Sequence, residues 1–220
     1  MVIILDMDGV IAHTNPHHRQ SWGQYARQRF GYDLTEAEFL QYVSGRTNPD
    51  IIGYLLDKQG QTLTTDEIND LGEAKEALFR EIYAPVATPV PGLFEFLKMV
   101  KANGIQTAVA TSAPTSNLTF ILDALGIRHY FDALFDISHV TRPKPDPQVY
   151  ELAIAALGSW PADAVVFEDS MAGIRAGKGA GAKVVGVATT HDPAELAPFV
   201  DDVILDFTDM SLERLAGLFR

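Results

Sequence analysis

Residues that could do chemistry sit at four places along this 220-residue chain. At the first, the apolar run Val2-Ile-Ile-Leu5 is followed by Asp6 and Asp8, two positions apart, with Gly9 behind them. On an extended backbone residues i and i+2 point to one side, so the spacing predicts that both carboxylates face one site. Like charges that close raise each other's pKa unless a cation neutralises them. The pair implies either a shared proton or a divalent metal, and ligation by oxygen alone favours Mg²⁺. Its bland counterpart is a strand end carrying two solvated aspartates.

The other three places are weaker taken singly. Thr111 and Ser112 close the run Val109-Ala-Thr-Ser ahead of Ala113-Pro114. A hydroxyl and backbone N–H groups there can hold phosphate oxygens, or the same residues simply cap the next helix. Lys144 stands between two prolines in Arg142-Pro-Lys-Pro-Asp-Pro147. Fixed φ angles present its ammonium on a stiff loop, where it could neutralise phosphate and carboxylates, or be one charge of an ordinary Pro-rich turn. Glu168 and Asp169 end Val165-Val-Phe-Glu-Asp-Ser170. Neighbours diverge on a strand, but at a turn both can approach one ion; the alternative is a plain helix N-cap.

The elements that must position these residues are legible from periodicity. From His13 to about Tyr83 the chain reads as helical: Thr35 with Glu38 and Thr64 with Glu67 have capping-box spacing, and Asn48-Pro49 reads as an N-cap with its first helical residue. A proline-rich hinge, 84–92, follows. Beyond it helices and short apolar strands alternate: helix 93–102, strand 106–110, helix 116–125, strand 134–137, helix 147–157, strand 164–167, helix 171–180, strand 183–187 and a last strand near 203–205. That alternation predicts an α/β class, a Rossmann-like parallel sheet covered by helices on both faces, with ligands beyond the carboxyl ends of the strands. Residues 1–13 with 87–220 form the expected core domain, and 14–86 a small α-helical cap inserted after the first strand as a lid.

Taken together and in order, Asp6-Met-Asp-Gly-Val10, Thr111, Lys144-Pro-Asp-Pro147 and Glu168-Asp-Ser-x-x-Gly173 resemble the motifs of the haloacid dehalogenase superfamily of phosphotransferases over the whole chain. The helical insert, Gly45-Arg-Thr47, Lys144-Pro-Asp-Pro-x-x-Tyr150, His18 and Trp22 look like its β-phosphoglucomutase and phosphoglycolate phosphatase branch. The resemblance implies Asp6 as nucleophile forming an aspartyl-phosphate, and Asp8 as acid and base. It implies Mg²⁺ on Asp6, the Asp8 carbonyl, Asp169 and Glu168, with Thr111, Ser112 and Lys144 on the phosphate. By analogy His18, Arg46 and Lys75 bind substrate from the cap.

Two positions depart from the branch. His13 stands where an acidic residue or Asn is usual, and Ser112-Ala-Pro-Thr115 lacks the lysine that mutases place on that loop. That absence favours hydrolysis over a sugar-phosphate mutase. Without the family match, Trp22 reads as core and Lys75 as a solvated helix-surface partner.

Composition narrows the partners. A net charge of −12 with no basic run excludes a nucleic-acid partner and means that an anionic substrate needs a local cation. No apolar run approaches membrane-spanning length and no basic leader precedes the first, so neither anchor nor signal peptide is expected. The absence of cysteine excludes disulfides and thiolate chemistry and fits a cytoplasmic protein. The expected enzyme is a Mg²⁺-dependent phosphatase of a small phosphorylated metabolite, a sugar phosphate by analogy, with a monomer plausible. The rivals are a mutase, a dehalogenase using the same nucleophile, and a non-catalytic phosphate-binding protein.

Overall fold

A computed structural model describes residues 1–43 and 46–219, with Leu40 described by its backbone. Gly45 of the Gly-Arg-Thr phrase lies outside the described residues. The chain divides into two compact units, Met1–Thr14 with Ala87–Arg220, and Asn15–Val86.

The first unit opens with β1 (Val2–Leu5), whose four apolar side chains are all buried. Burying each contributes about 1.5–3 kcal/mol, which makes a run this short enough to nucleate a central strand. Among the described residues β1 joins a six-stranded sheet with β2 (Thr107–Ala110), β3 (Ala133–Phe135), β4 (Ala164–Glu168), β5 (Lys183–Val187) and β6 (Asp202–Ile204), in the order β3-β2-β1-β4-β5-β6. Every pairing is parallel. The connecting helices are α5 (Leu93–Ala102), α6 (Thr115–Ala124), α7 (Gln148–Ala156), α8 (Met171–Gly179), α9 (Pro193–Leu196) and α10 (Leu212–Gly217). The strand order reverses between β1 and β4, and it is at such a reversal that open α/β sheets form a crevice beyond their carboxyl ends.

Register decides what lies at that edge. Leu5 is level with Val109 on one side and Phe167 on the other. One residue further on, Asp6, Ala110 and Glu168 therefore end side by side. Behind them Phe96, Phe167 and Phe207 pack with centroids 4.8–5.3 Å apart and close one face of the sheet. Val149, Tyr150, Ala153 and Ile154 of α7 belong to a second buried cluster with Ile4 and Val166.

The second unit holds α1 (Asn15–Phe30), α2 (Glu36–Glu38) continued by a π-helical turn to Val43, α3 (Asn48–Gln59) and α4 (Thr65–Tyr83). Its core is Trp22, Tyr25, Phe30, Ile51, Ile52, Leu55 and Leu56. Capping boxes start α2 and α4 at Thr35/Glu38 and Thr64/Glu67, as the spacing predicts. At α3 the N-cap is Thr47, paired with Asp50, and Asn48 is already helical. The hydroxyl one position earlier wins because the acid three residues after it can bond back to its backbone N–H. Among the described residues, no helix is long and apolar enough to cross a membrane.

Candidate active site

β1 stops at Leu5, so Asp6 and Asp8 lie on the turn beyond it. The N–H of Asp6 still donates to the Phe167 carbonyl at 3.0 Å, while the amides of Ile11 and Ala12 fold back onto the Met7 carbonyl. Gly9 makes this reversal at φ +77°, and a Cβ there would stand 2.0 Å from Asp169 Oδ2. The residue behind the acidic pair is thus restricted both by conformation and by the carboxylate pressed against it.

The carboxylate cluster differs from a simple Asp6/Asp8 pair. Oxygens of Asp6, Glu168 and Asp169, all buried, lie within 4.8 Å of one another. The Asp8 side chain is instead held by the Thr14 hydroxyl, which donates to Oδ1 at 2.5 Å. It still acts on the cluster through space, raising the pKa of both Asp6 and Asp169. Because β1 ends at Leu5, Asp8 sits on the turn beyond the pleat, within electrostatic reach of the cluster.

Lys144 is the counter-charge. Its Nζ donates to Asp6 Oδ1 at 2.7 Å, Glu168 Oε1 at 2.7 Å and the Ala110 carbonyl at 3.0 Å, and sits 2.8 Å from the Tyr150 hydroxyl. Burial works against its charge, but the Asp6 and Glu168 carboxylates outweigh that and hold its pKa above the ordinary lysine range. Tyr150 in turn donates to Glu168 Oε1 at 2.6 Å. The other oxygen of Glu168 accepts the Asp169 and Ser170 amides at 3.1 Å and the Ser170 hydroxyl at 3.0 Å. Both Glu168 oxygens are therefore already engaged by protein donors.

Asp6 has its pKa raised, first by burial and then by Glu168, Asp169 and Asp8, with Lys144 opposing. Burial and Glu168 push Asp169 up to about 7. The donor set is hard oxygen, with more negative charge than one lysine balances, so a small divalent cation fits it and would remove the repulsion.

Thr111 is buried one residue past β2, its Oγ1 accepting the Ala113 amide at 3.1 Å, and Ser112 is exposed. Neither caps the next helix; α6 begins after Pro114 with no side-chain cap. At β4 the N-cap reading applies to Ser170, which accepts the Gly173 amide at 3.0 Å, while Asp169 stays with the cluster.

The remaining candidates are in the helical unit. Lys75 Nζ is 2.8 Å from His18 Nδ1 and 2.9 Å from Glu76 Oε1, and stands over the Trp22 ring at 5.0 Å. His18 stacks on Phe79 at 3.8 Å. Lys75 is only 1 % exposed, so the solvated-partner reading of it is overturned: α4 turns that face inward and Glu76 neutralises it. Trp22 is core, and Arg46 is exposed. Sequence reasoning left Thr14, Glu76, Tyr150 and Thr190 without roles. Of these, Tyr150 carried a signal, since its place six residues after Lys144 was part of the motif.

Comparison with known proteins agrees with the fold. Residues 1–181 match the model of the haloacid dehalogenase-like hydrolases. A validoxylamine A 7'-phosphate phosphatase from Streptomyces hygroscopicus subsp. limoneus is 31 % identical over 209 residues, 95 % of either chain. The fructose-1-phosphate phosphatase YqaB of Escherichia coli K12 is 31 % identical over 189 residues, 84 % of this chain and 95 % of that one. Among solved structures, a HAD hydrolase of family IA, variant 3, from Entamoeba histolytica superposes with a TM-score of 0.92 at 25 % identity, covering 99 % and 98 % of the two chains. A beta-phosphoglucomutase from Clostridium difficile shares the fold, with a TM-score of 0.84 at 23 % identity over 99 % and 96 %. The chain belongs to the haloacid dehalogenase-like hydrolases, as a phosphohydrolase.

Proposed function

We propose that the protein is a Mg²⁺-dependent phosphatase of a small sugar phosphate, working through an aspartyl-phosphate on Asp6. The observation that carries this reading is the Asp6 carboxylate, buried and gripped by Lys144 at 2.7 Å beside two further carboxylates. Phosphatase relatives that span nearly the same length support the substrate class.

In this reading an Asp6 oxygen attacks phosphorus in line, the bond to the ester oxygen breaks, and Asp8 gives that oxygen its proton. Asp8, now a carboxylate, takes a proton from water as the water attacks the same phosphorus, and the bond to Asp6 breaks to release phosphate. Lys144 and the Thr111 hydroxyl stabilise the equatorial oxygens as charge builds. Asp6, Asp169 and the Asp8 carbonyl would hold the cation, with Glu168 the least available because Lys144, Tyr150 and Ser170 occupy it. A bound Mg²⁺ would supply charge neutralisation for the incoming phosphate. Ser112, His18, Arg46 and Lys75 are assigned to substrate selection. The loop Ser112–Thr115, without a lysine, supports water over a sugar hydroxyl as acceptor.

The test is phosphate release from a panel of hexose, pentose and cyclitol phosphates, with Mg²⁺ and with EDTA, for wild type and Asp6→Asn. Release that needs the metal and vanishes in the variant is expected. Metal-independent release, or an Asp6→Asn enzyme above about one per cent of wild type, would sink the covalent mechanism.

A further inference from the structure

The loop after β5 reaches the carboxylate cluster from a part of the chain that carries none of the four motifs. It is tied down twice: the Ala188 amide donates to the Ile204 carbonyl of β6 at 2.8 Å, and the Thr189 hydroxyl to the Gly9 carbonyl at 2.6 Å. The next residue, Thr190, donates its hydroxyl to Oδ2 of Asp169. Gly9 closes the same corner, since a Cβ on it would lie 2.0 Å from Asp169 Oδ2 and 3.0 Å from Thr189 Oγ1. Two segments remote in sequence, the turn at Gly9 and the loop at Thr190, thus converge on one carboxylate, the first by close backbone approach and the second through a hydroxyl.

We propose that Thr190 is a positioning residue for Asp169, and that its hydroxyl sets how tightly the cluster holds a divalent cation. The proposal rests on the reading above that Asp169 is a ligand. A buried carboxylate, as Asp169 is at 3 % exposure, cannot use water to fix its orientation, so its few protein donors decide which way its oxygens face. Partners that hydrogen-bond a metal ligand are typically worth about ten- to a hundredfold in metal affinity. Thr190 itself is exposed. Replacing its hydroxyl with a methyl group therefore removes the donor while leaving the core untouched, which makes the idea testable in a folded protein.

The experiment is calorimetric titration of MgCl₂ into the EDTA-stripped full chain, for wild type, Thr190→Val, Thr190→Ser and Asp169→Asn. Melting temperatures in EDTA and in saturating Mg²⁺ are recorded beside it. The expected result is a dissociation constant raised about tenfold in Thr190→Val and restored to within about twofold in Thr190→Ser. The melting temperature in EDTA should match wild type, with a smaller Mg²⁺-induced rise in the valine variant at subsaturating metal. If Asp169→Asn weakens binding but Thr190→Val does not, or if Ser fails to restore it, Thr190 has no such role. If Asp169→Asn binds like wild type, the ligand reading has failed instead.

Discussion

Lys144 has more acceptors in reach than its ammonium has protons: Asp6 Oδ1, Glu168 Oε1, the Ala110 carbonyl and the Tyr150 oxygen. Tyr150 resolves the excess because its hydroxyl both accepts from the lysine and donates to Glu168. Removing that hydroxyl leaves the ring's packing intact but takes a donor from a buried carboxylate. A hydrogen bond to a charged group is worth about 1.5–3 kcal/mol. Tyr150→Phe is therefore expected to lose about ten- to a hundredfold in kcat/KM with a cooperative melt retained; kinetics on the best ester of the panel, with circular dichroism as control, checks this. An unchanged kcat/KM would make the tyrosine a packing residue. Lys144→Ala should cost at least about a hundredfold in kcat, and Lys144→Arg should not restore it, because a planar guanidinium cannot reach the same tetrahedral set of acceptors.

Among the elements, the ends of strands and starts of helices carry the chemistry, and two of them make predictions. At the start of α8 a Cβ on Gly173 would lie 1.7 Å from Glu168 Oε1, so Gly173→Ala must drive that carboxylate away from Lys144. Loss of most activity is expected, with the lysine network disturbed before the sheet; retention of full activity would show that the glutamate's position is not critical. At the end of β3, Asp136 accepts from Ser138 and from Thr115 of α6, and so ties the loop after Thr111 to the sheet. Burial opposes its charge, but the Ser138 and Thr115 donors outweigh it and hold its pKa below the usual carboxylate value. A depressed folded-state pKa contributes stability above the unfolded value, about 3.9, and loses it as pH falls through the folded one. Asp136→Asn should thus lower the urea midpoint at pH 7 and narrow the gap between midpoints at pH 7 and pH 3. An unaltered gap would remove Asp136 from the acid response.

These elements were also where the sequence was most and least readable. β5 runs Lys183–Val187 and α5 Leu93–Ala102, as periodicity predicts, because each starts just after a glycine turn, Gly181 and Gly92, that fixes where the element begins. Asp6, Glu168 and Asp169 are visible as chemistry at strand ends, and Lys144 as a cation on a Pro-flanked loop. Asp8 is legible as a second carboxylate beside Asp6, and its charge acts on both Asp6 and Asp169, but its bond to Thr14 depends on a turn that spacing alone does not describe. Thr190 carried no signal, since its partner lies 21 residues away across a helix and a strand. Lys75 was unreadable for a similar reason: an inward-facing lysine needs a buried acid beside it, and the one supplied, Glu76, looks in sequence like part of a charged helix surface.

For the whole molecule, charge is the dominant property. The chain carries a net −12, yet its proposed substrate is an anion. Long-range repulsion and short-range attraction therefore act on the same approach, and they respond differently to salt. Exposed charges are screened over about 8–10 Å at ordinary ionic strength, whereas contacts between buried groups are screened far less. The Lys144 side chain is only 6 % exposed, so added salt should weaken the general repulsion more than it weakens the grip on phosphate. Accordingly kcat/KM is expected to rise, by up to a fewfold, as KCl goes from about 25 to about 200 mM at constant free Mg²⁺, with kcat nearly constant because chemistry begins after the approach. The control is a neutral competitor or viscosogen series that leaves the ratio unmoved. A steady fall in kcat/KM across the same range would mean that exposed cations, with Arg46 the first to examine, guide the substrate in, and that the acidic surface lies too far from the path to matter.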